Sequence, residues 1–358
     1  MHTTLSSVIT GTGRYIPEEI VPNDQFLSHS FFEKDGRRIE RENEEIIRKF
    51  RDITEIEERR YAGKDQVASD LGYLAAVEAL TSSGTDPETL DYIIVAHNFG
   101  DISYGKTVVD VLPTLAAKIK HKLGIANPDC VAYDIPFGCP GWLQGIIHAD
   151  YFIRSGDAKK ILVIGTETLS RVNDPHDRDS MIFSDGAAAT ILEAGSEPGR
   201  GFLAHKTQSH TKDEAYYLYS ERSSNPEYTG SELFIKMDGR KIYEYALTNV
   251  PLVMKAALDK SGLSAKDVTK VLVHQANGKM DEAILKRFLK LCQIPEAPDK
   301  VMPMTISHLG NSSVATVPTL LDLILKNDLE GHQLNPGDVV IFASVGAGMN
   351  INAAVYRF

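Results

Sequence analysis

Four short apolar runs rich in β-branched residues recur along the chain, each bounded by polar or turn-forming residues. They are Asp91–Asn98, Lys159–Glu167, Lys270–Asn277 and Asp338–Gly346. Runs of this length and composition predict buried strands. Helical patterns lie between them, and this alternation predicts helices layered on sheets in an α/β fold.

The strand-and-helix pattern occurs twice. Glu78–Asn98 resembles Ala256–Asn277, because each contains a helix end, Ser-Gly, a turn and a strand that reaches a histidine. A glycine-led apolar helix, a loop and another strand then follow in both places. Cys139 and Asn311 occupy equivalent positions, each directly after a glycine at a predicted helix start. We therefore predict a duplicated α/β unit.

Two other segments complete the predicted organisation. The connector Glu193–Gly201 places the boundary between the halves near Gly199, which gives an N-terminal half at 1–199 and a C-terminal half at 200–358. The segment Ser30–Tyr61 is dense in both charges and predicts a mostly helical surface insertion. It fits either a solvated face or a cap over a substrate entrance.

Composition narrows the classes of function. The 358 residues are 42% hydrophobic, which suits a large core, and their net charge of −11 argues against global attraction to nucleic acid or anionic membranes. No apolar run reaches the roughly 20 residues that span a bilayer. The N-terminal stretch Met1–Pro17 lacks a signal-peptide pattern. We therefore expect a cytoplasmic protein.

Three cysteines, with no CxxC spacing, argue against a disulfide framework or a zinc site; they are Cys130, Cys139 and Cys292. Cys139 stands out, because Pro140 is favoured at the first helical position and so places the thiol at a helix N-terminus. The dipole and unpaired N–H groups there are expected to lower the pKa of the thiol. Cys139 fits either a packing residue or a nucleophile; the other two cysteines are predicted to pack.

Further candidate residues follow predicted strands. His274 ends a strand, where ligands collect in α/β sheets, although a structural histidine fits equally. Asn311 fits a helix cap or a site residue. Gly346 and Gly348 either form a bulge or allow close backbone approach and supply oxyanion-binding N–H groups. If the halves are related, Cys139, His274 and Asn311 converge on one central cavity.

Five stretches carry a family resemblance, in one order along nearly the whole chain: GCPGW around Cys139, Asp174–Leu192, VLVHQAN at His274, GNSSVATVP at Asn311 and SVGAGMN before Ile351. They resemble the β-ketoacyl-acyl-carrier-protein synthase III family of thiolase-like condensing enzymes. Papain-like proteases also order Cys, His and Asn in this way, but their CGSCW-like surround is absent. The resemblance implies a five-layered αβαβα fold, built from two related halves, and usually a homodimer.

The resemblance also implies roles for the candidate residues. Cys139 would be the acylated nucleophile, and His274 and Asn311 would assist decarboxylative condensation with a malonyl thioester. The backbone N–H groups of Cys139 and Gly348 would hold the oxyanion. The substrates would be acyl-CoA or acyl-carrier protein and malonyl-acyl-carrier protein, with no metal or redox cofactor.

A basic helix face is the candidate site for a protein partner. Lys279, Lys286 and Arg287 are spaced for one side of a predicted helix. The resemblance assigns such residues to docking of the acidic acyl carrier protein, while ordinary surface charge is the alternative.

The chain departs from the family's usual wording beside its site residues. GCPGW replaces ACSGF, so Trp142 is expected near the thiol, where it would narrow an acyl tunnel. Leu112 stands where olefin-pathway relatives carry an additional glutamate. Lys49 and Ile53 replace a Trp and an Arg that often bind coenzyme A. A specialised enzyme that joins two acyl chains, or another acyltransferase, therefore stays open beside fatty-acid initiation; a non-catalytic scaffolding subunit is least expected.

Overall fold

The computed structural model describes residues 5–106 and 108–358; the first four residues of the N-terminal stretch considered above lie outside them. The elements of the first half are β1 (Ser6–Tyr15), β2 (Glu19–Pro22), α1 (Asn43–Thr54), β3 (Glu58–Tyr61), α2 (Ala68–Ser83), β4 (Tyr92–His97), α3 (Leu115–Lys122), β5 (Val131–Pro136), α4 (Gly141–Ser155), β6 (Lys160–Thr168) and β7 (Asp185–Gly195). Those of the second half are β8 (Gly201–Ser209), β9 (Leu218–Glu221), β10 (Phe234–Met237), α5 (Gly239–Ser261), β11 (Val268–Val273), α6 (Gly278–Leu291), α7 (Ile306–Leu309), α8 (Thr316–Leu325), β12 (Val339–Gly346) and β13 (Asn350–Arg357). Short 3-10 turns lie at Asn23–Ser28, Pro87–Thr89, Leu169–Arg171, Arg178–Ile182, Ala265–Asp267, Ser313–Ala315 and Ala347–Met349.

Two large sheets repeat one topology. The first has the order β1-β7-β6-β4-β5, and the second has the order β8-β13-β12-β11. β4 and β6 are parallel, as are β11 and β12, while the remaining neighbours of β6 and β12 are antiparallel. Four strands of each sheet therefore correspond in order and direction, and β5 is an addition to the first. The predicted duplication is confirmed at the level of the sheets.

Strand alternation distributes the apolar side chains into separate cores. On β6, Leu162 and Ile164 join a core with α2 and α3, while Ile161 and Val163 face α4 and α8. On β12, Phe342 faces the same central helices from the opposite side. The other face of β12 packs on α5 and α6. Because successive strand residues point to opposite faces, each sheet is covered on both sides.

The layers are therefore helix, sheet, helix, sheet, helix, with α4 and α8 buried between the two sheets. This is the predicted five-layered αβαβα architecture. The four apolar runs all form strands, and β11 ends at Val273, so His274 is the first residue beyond it. No helix in the described part of the chain is both long and apolar enough to cross a membrane.

The charged segment Ser30–Tyr61 differs from its prediction. Only α1 is helical, and β3 pairs antiparallel with β2. Ile46 and Phe50, on the apolar side of α1, pack in a small core that includes Ile306. Arg59 is fully buried, and its guanidinium donates to the carbonyl oxygens of Val21 and Met181 and to the side-chain oxygen of Asn23. The segment thus contributes structure beneath its charged exterior, because its apolar residues follow the helical period.

Candidate active site

Cys139 lies in the turn between β5 and α4. Helix α4 begins at Gly141 with Pro140 as its N-cap residue, so the thiol lies two residues before the first helical residue. The expected lowering of the pKa of the Cys139 thiol is wrong: burial raises it to about 11, while a hydrogen bond from Ser313 lowers it. Desolvation is the largest influence on this pKa, since a thiolate needs solvation that the surrounding protein atoms remove.

The backbone of β12 meets the turn that carries Cys139. A methyl group on Gly346 would lie 2.6 Å from the Cys139 nitrogen and 2.9 Å from its Cβ. Such distances are below van der Waals contact, so only glycine fits at this position. The end of β12 and the nucleophile candidate are thus packed backbone against backbone.

His274 approaches the same sheet edge from the neighbouring strand. Its backbone N–H donates to the Ala343 carbonyl at 2.8 Å, three residues before Gly346. The imidazole is buried, and its Nδ1 has no hydrogen-bond partner among the described residues. Burial lowers the pKa of His274 to about 4. The ring is therefore neutral near pH 7, and one of its two nitrogens carries a proton to donate.

Gln275 connects the His274 strand end to the segment that leads to Asn311. Its Nε2 donates to the Pro303 carbonyl at 2.9 Å, and its Oε1 accepts the Thr305 N–H at 2.8 Å. Gln275 is fully buried, so these bonds are shielded from water. These bonds fix the strand end that carries His274 to Pro303 and Thr305, a few residues before Asn311.

Asn311 is buried and fixed at both ends of its backbone. Its N–H donates to the Ile182 carbonyl at 3.0 Å, and its carbonyl accepts the Ser184 N–H at 2.9 Å. The side-chain Oδ1 accepts the Ser313 N–H at 2.8 Å, so it stabilises the turn before α8 and does not cap α8 itself. The Nδ2 group makes no hydrogen bond to the described residues, so its two N–H groups can serve a ligand oxygen.

The candidates therefore share one location. Ser313 donates from Oγ to the Cys139 sulfur at 3.3 Å and from its N–H to Asn311, while Gly346 links Cys139 to the strand beside His274. A thiol, a neutral imidazole and an amide that lie together near the ends of these strands can carry out acyl transfer and donate hydrogen bonds to a developing oxyanion.

Three further residues predicted from the sequence, Gly348, Trp142 and Leu112, lie outside the hydrogen bonds that join Cys139, Ser313 and Asn311. Gly348 has φ 72° in the turn Ala347–Met349, two residues beyond the glycine that touches Cys139. Its role as an oxyanion donor stays a prediction. Trp142 is 1% exposed and packs edge-on against Phe342 in the central core, with ring centroids 5.9 Å apart. Leu112 is 81% exposed on the loop before α3. The influence of Trp142 and Leu112 on a substrate also stays a prediction.

The nominated docking residues lie on α6. Lys279, Lys286 and Arg287 are all exposed, and the last two border a groove of about 1040 Å³ between α6 and the loop that follows it. The Arg287 Nη1 donates to the Leu247 carbonyl at 2.9 Å, which ties this side chain to α5. Lys290 and Lys300 extend the basic border of the groove. The acidic chain thus carries a local basic surface.

Several supporting groups escaped the sequence analysis. They are Asn98, which follows β4, Glu167 near the end of β6, and Ser313 beside Asn311. The rule that polar groups at strand ends collect ligands, applied above to His274, would have nominated the first two. Cys130 is buried in the α2–α3 core, and Cys292 packs at the edge of the α5–α6 core. Within residues 5–106 and 108–358, no cluster of three His, Cys, Asp or Glu residues could hold a metal ion.

Known proteins share this arrangement of elements. The family model described as 3-oxoacyl-[acyl-carrier-protein (ACP)] synthase III matches residues 133–211, and the model of its C-terminal part matches 258–358. The β-ketoacyl-[acyl-carrier-protein] synthase III of Cereibacter sphaeroides is 32% identical over 360 residues, covering 99% of this chain and 100% of that protein. Its counterpart in Erythrobacter litoralis is 30% identical over 357 residues, with the same coverage.

The solved structures agree with the sequences. The crystal structure of a β-ketoacyl-[acyl carrier protein] synthase III from Thermus thermophilus matches with a TM-score of 0.81 at 27% identity, covering 98% of this chain and 99% of that one. The buried cysteine turn, the two strand ends and both family models thus lead to one conclusion: the chain belongs to the 3-oxoacyl-[acyl-carrier-protein] synthase III family, and it is an acyltransferase with the five-layered thiolase-like fold.

Proposed function

We propose that the protein catalyses decarboxylative Claisen condensation of an acyl thioester with a malonyl thioester. The single observation that carries this is the hydrogen-bonded connection of the Cys139 sulfur through Ser313 to Asn311, beside the neutral His274. Family membership supports the same reaction, because the relatives are named β-ketoacyl-[acyl-carrier-protein] synthase III.

In the first half-reaction, the Cys139 sulfur attacks the carbonyl carbon of the acyl thioester. A new carbon–sulfur bond forms, the bond to the carrier thiol breaks, and the carrier leaves as a thiolate that takes up a proton. The backbone N–H groups of Cys139 and Gly348 are the proposed donors to the tetrahedral oxyanion. No metal or redox group is needed for this exchange of one thioester for another.

In the second half-reaction, the malonyl thioester loses carbon dioxide. The electron pair of the broken carbon–carbon bond passes to the thioester as an enolate, which attacks the acyl carbon on Cys139 and expels the thiolate. His274 and Asn311 would each donate a hydrogen bond to the enolate oxygen. A neutral histidine suits this task, because it donates without first having to lose or gain a proton.

The partner of this reaction is proposed to be acyl carrier protein, docked on the α6 face of Lys279, Lys286 and Arg287. All three are exposed, and Lys286 and Arg287 border an open groove, so this face provides positive charge on an otherwise acidic chain. Opposite charge favours encounter with an acidic partner.

A homodimer is also proposed. The loop before α3 exposes Val108, Val111 and Leu112 by 77%, 55% and 81%, and contiguous exposed apolar residues favour burial against another chain. Sedimentation analysis of the protein and of a Leu112→Asp variant checks this: the unaltered chain should sediment as a dimer and the variant should dissociate more readily. A monomer at all concentrations would contradict it.

The decisive experiment is intact-mass analysis after incubation with panels of acyl-CoA and acyl-carrier protein. One acyl group should add to the protein and be absent in Cys139→Ala, and the best donor reports chain length. Addition of malonyl-carrier protein should then discharge the acyl group as a β-ketoacyl thioester. Discharge by a second long acyl thioester instead would favour the chain-joining alternative, and no adduct from any donor would contradict both.

A further inference from the structure

Three polar side chains outside the Cys-His-Asn set connect the Cys139 sulfur to β6. The Ser313 Oγ lies 3.3 Å from the sulfur, and the Asn98 Nδ2 lies 2.8 Å from that Oγ. Asn98 contacts Glu167 twice: its backbone N–H donates to Oε1 at 2.7 Å, and its Nδ2 donates to the same oxygen. The chain of contacts is Glu167, Asn98, Ser313, Cys139.

The chemistry of these groups gives the chain a direction. An amide nitrogen can only donate, so the Ser313 Oγ accepts from Asn98. A hydroxyl has one proton, and the Ser313 proton is therefore left for the Cys139 sulfur. The Asn98 amide has this orientation because the Glu167 oxygen is an acceptor and would repel the amide oxygen. The sulfur is thus held as the acceptor at the end of the series.

The series is rigidly placed. Glu167 and Ser313 are 1% and 2% exposed. The Ser313–Ala315 turn lies directly over β6, where a methyl group on Gly165 would overlap the Val314 carbonyl oxygen. Ser313 has φ 53°, a left-handed conformation that is uncommon for residues other than glycine. Because a serine does not by itself favour this conformation, the surrounding packing must hold the Ser313 hydroxyl beside the Cys139 sulfur.

The electrostatics favour a neutral Glu167. Burial raises the pKa of Glu167 well above its usual value, and the nearby charge of Asp185 raises it further. An ionised Glu167 would raise the pKa of Cys139 as a like charge, whereas the Ser313 hydrogen bond lowers it. A neutral carboxyl still accepts from Asn98 through its carbonyl oxygen, and so orients the series without opposing the thiolate.

We propose that Ser313 is a catalytic residue whose hydroxyl proton is directed onto the Cys139 sulfur, and that Asn98 and Glu167 are positioning residues that set this direction. The assignment rests on the proposed role of Cys139 as nucleophile. It explains how a sulfur whose pKa is raised by burial becomes reactive, since a directed donor stabilises the thiolate.

The test is the pH dependence of Cys139 alkylation by iodoacetamide, followed by mass spectrometry of the Cys139 peptide. Ser313→Ala and Ser313→Gly should each raise the midpoint by on the order of one pH unit, the size expected for loss of one hydrogen bond to a charged group. Ser313→Gly suits the left-handed backbone, so it tests the hydroxyl even if Ser313→Ala folds poorly. Glu167→Gln keeps an acceptor and should shift the midpoint less than Glu167→Leu.

Ser312→Ala is the matched control, because this neighbouring hydroxyl lies near Thr316 rather than near the sulfur. Its midpoint should equal that of the unaltered protein. Unchanged midpoints in both Ser313 variants would overturn the proposal. Alkylation needs no acyl donor, so the two proposals can fail separately. A shifted midpoint without any acyl adduct would support the role of Ser313 and contradict the proposed function. An acyl adduct with no shifted midpoint would support the proposed function and contradict the role of Ser313.

Discussion

The Cα atom of Gly346 lies so close to Cys139 that a methyl group on it would be 2.6 Å from the Cys139 nitrogen. This contact joins the second sheet to the turn that carries the proposed nucleophile of the first half. The active-site geometry therefore depends on how the two halves pack, and a single added carbon should disturb it.

Gly346→Ala should reduce acylation of Cys139 by about 100-fold, the cost expected for a misplacement of about 1 Å at a reacting group. The loss should appear in single-turnover acylation measured by intact mass. Gly239→Ala is the control, because its nearest neighbouring atom would lie 3.8 Å from the new methyl group. Equal acylation by both variants would show that the turn tolerates displacement.

His274→Ala should separate the two half-reactions. Acyl transfer to Cys139 should persist, whereas condensation with the malonyl thioester should fall about 100- to 1,000-fold, as for loss of one oxyanion donor. Parallel measurement of the acyl adduct and of the β-ketoacyl product distinguishes these steps. Undiminished condensation would remove His274 from its proposed role.

His274 should remain neutral well below its usual titration range, because burial lowers its pKa from 6.5 to about 4. The unfolded chain takes up this proton first, so the folded state loses stability as pH falls from about 6.5 towards 4, by about 3 kcal/mol in total. Urea unfolding at several pH values measures this effect: the free energy of unfolding should fall less on acidification in His274→Phe than in the unaltered protein. Equal sensitivity would indicate a solvated imidazole.

Asp281→Asn should stabilise the fold at neutral pH. Asp281 is fully buried in the first turn of α6, where backbone N–H groups of Ala276 and Asn277 offset only part of the cost of burying its charge. Burial raises its pKa well above the usual value, and the charge of Glu55 adds to the rise. The destabilisation is therefore absent below about pH 4 and grows as pH rises towards the folded pKa.

Urea unfolding at pH 5 and pH 8 measures this effect. The gain from Asp281→Asn should be larger at pH 8 than at pH 5, because the variant removes only the cost of burying the ionised carboxylate. The adjacent exposed Glu282 supplies the control, and Glu282→Gln should change stability little at either pH. A gain independent of pH would contradict the assignment to ionisation.

Lys286→Glu should weaken docking of acyl carrier protein without affecting small thioesters. The KM for the carrier-bound substrate should rise about threefold, as for loss of one exposed charge pair, and the effect should shrink at high salt. Lys286 is a cleaner choice than Arg287, whose bond to the Leu247 carbonyl also supports the fold. Lys266→Glu, on an exposed turn away from α6, is the control; matching changes in both variants would refute specific docking.

By itself the sequence predicted helix and sheet layers and a duplicated unit, both confirmed by the structure. It also nominated Cys139, His274 and Asn311, whose catalytic roles stay predictions. The four strand runs are local patterns of burial, and a buried strand needs only its own apolar residues to be recognised. The repeated order of helix and strand placed Cys139 and Asn311 in equivalent turns, and His274 followed directly from the end of a strand. These features depend on short stretches of chain, which is why a single sequence was enough.

Only the tertiary structure decided the state of the thiol and its hydrogen bonds. Ser313 and Cys139 are 174 residues apart, and Asn98 and Ser313 are 215 apart, so no local pattern reports their contact. The helix-start argument expected a lowered thiol pKa, but desolvation by the assembled halves raises it. The small core that the charged segment Ser30–Tyr61 forms with Ile306 is likewise visible only in the folded structure. Solvation and hydrogen-bond direction are set by which distant segments pack together, and that information is absent from local periodicity.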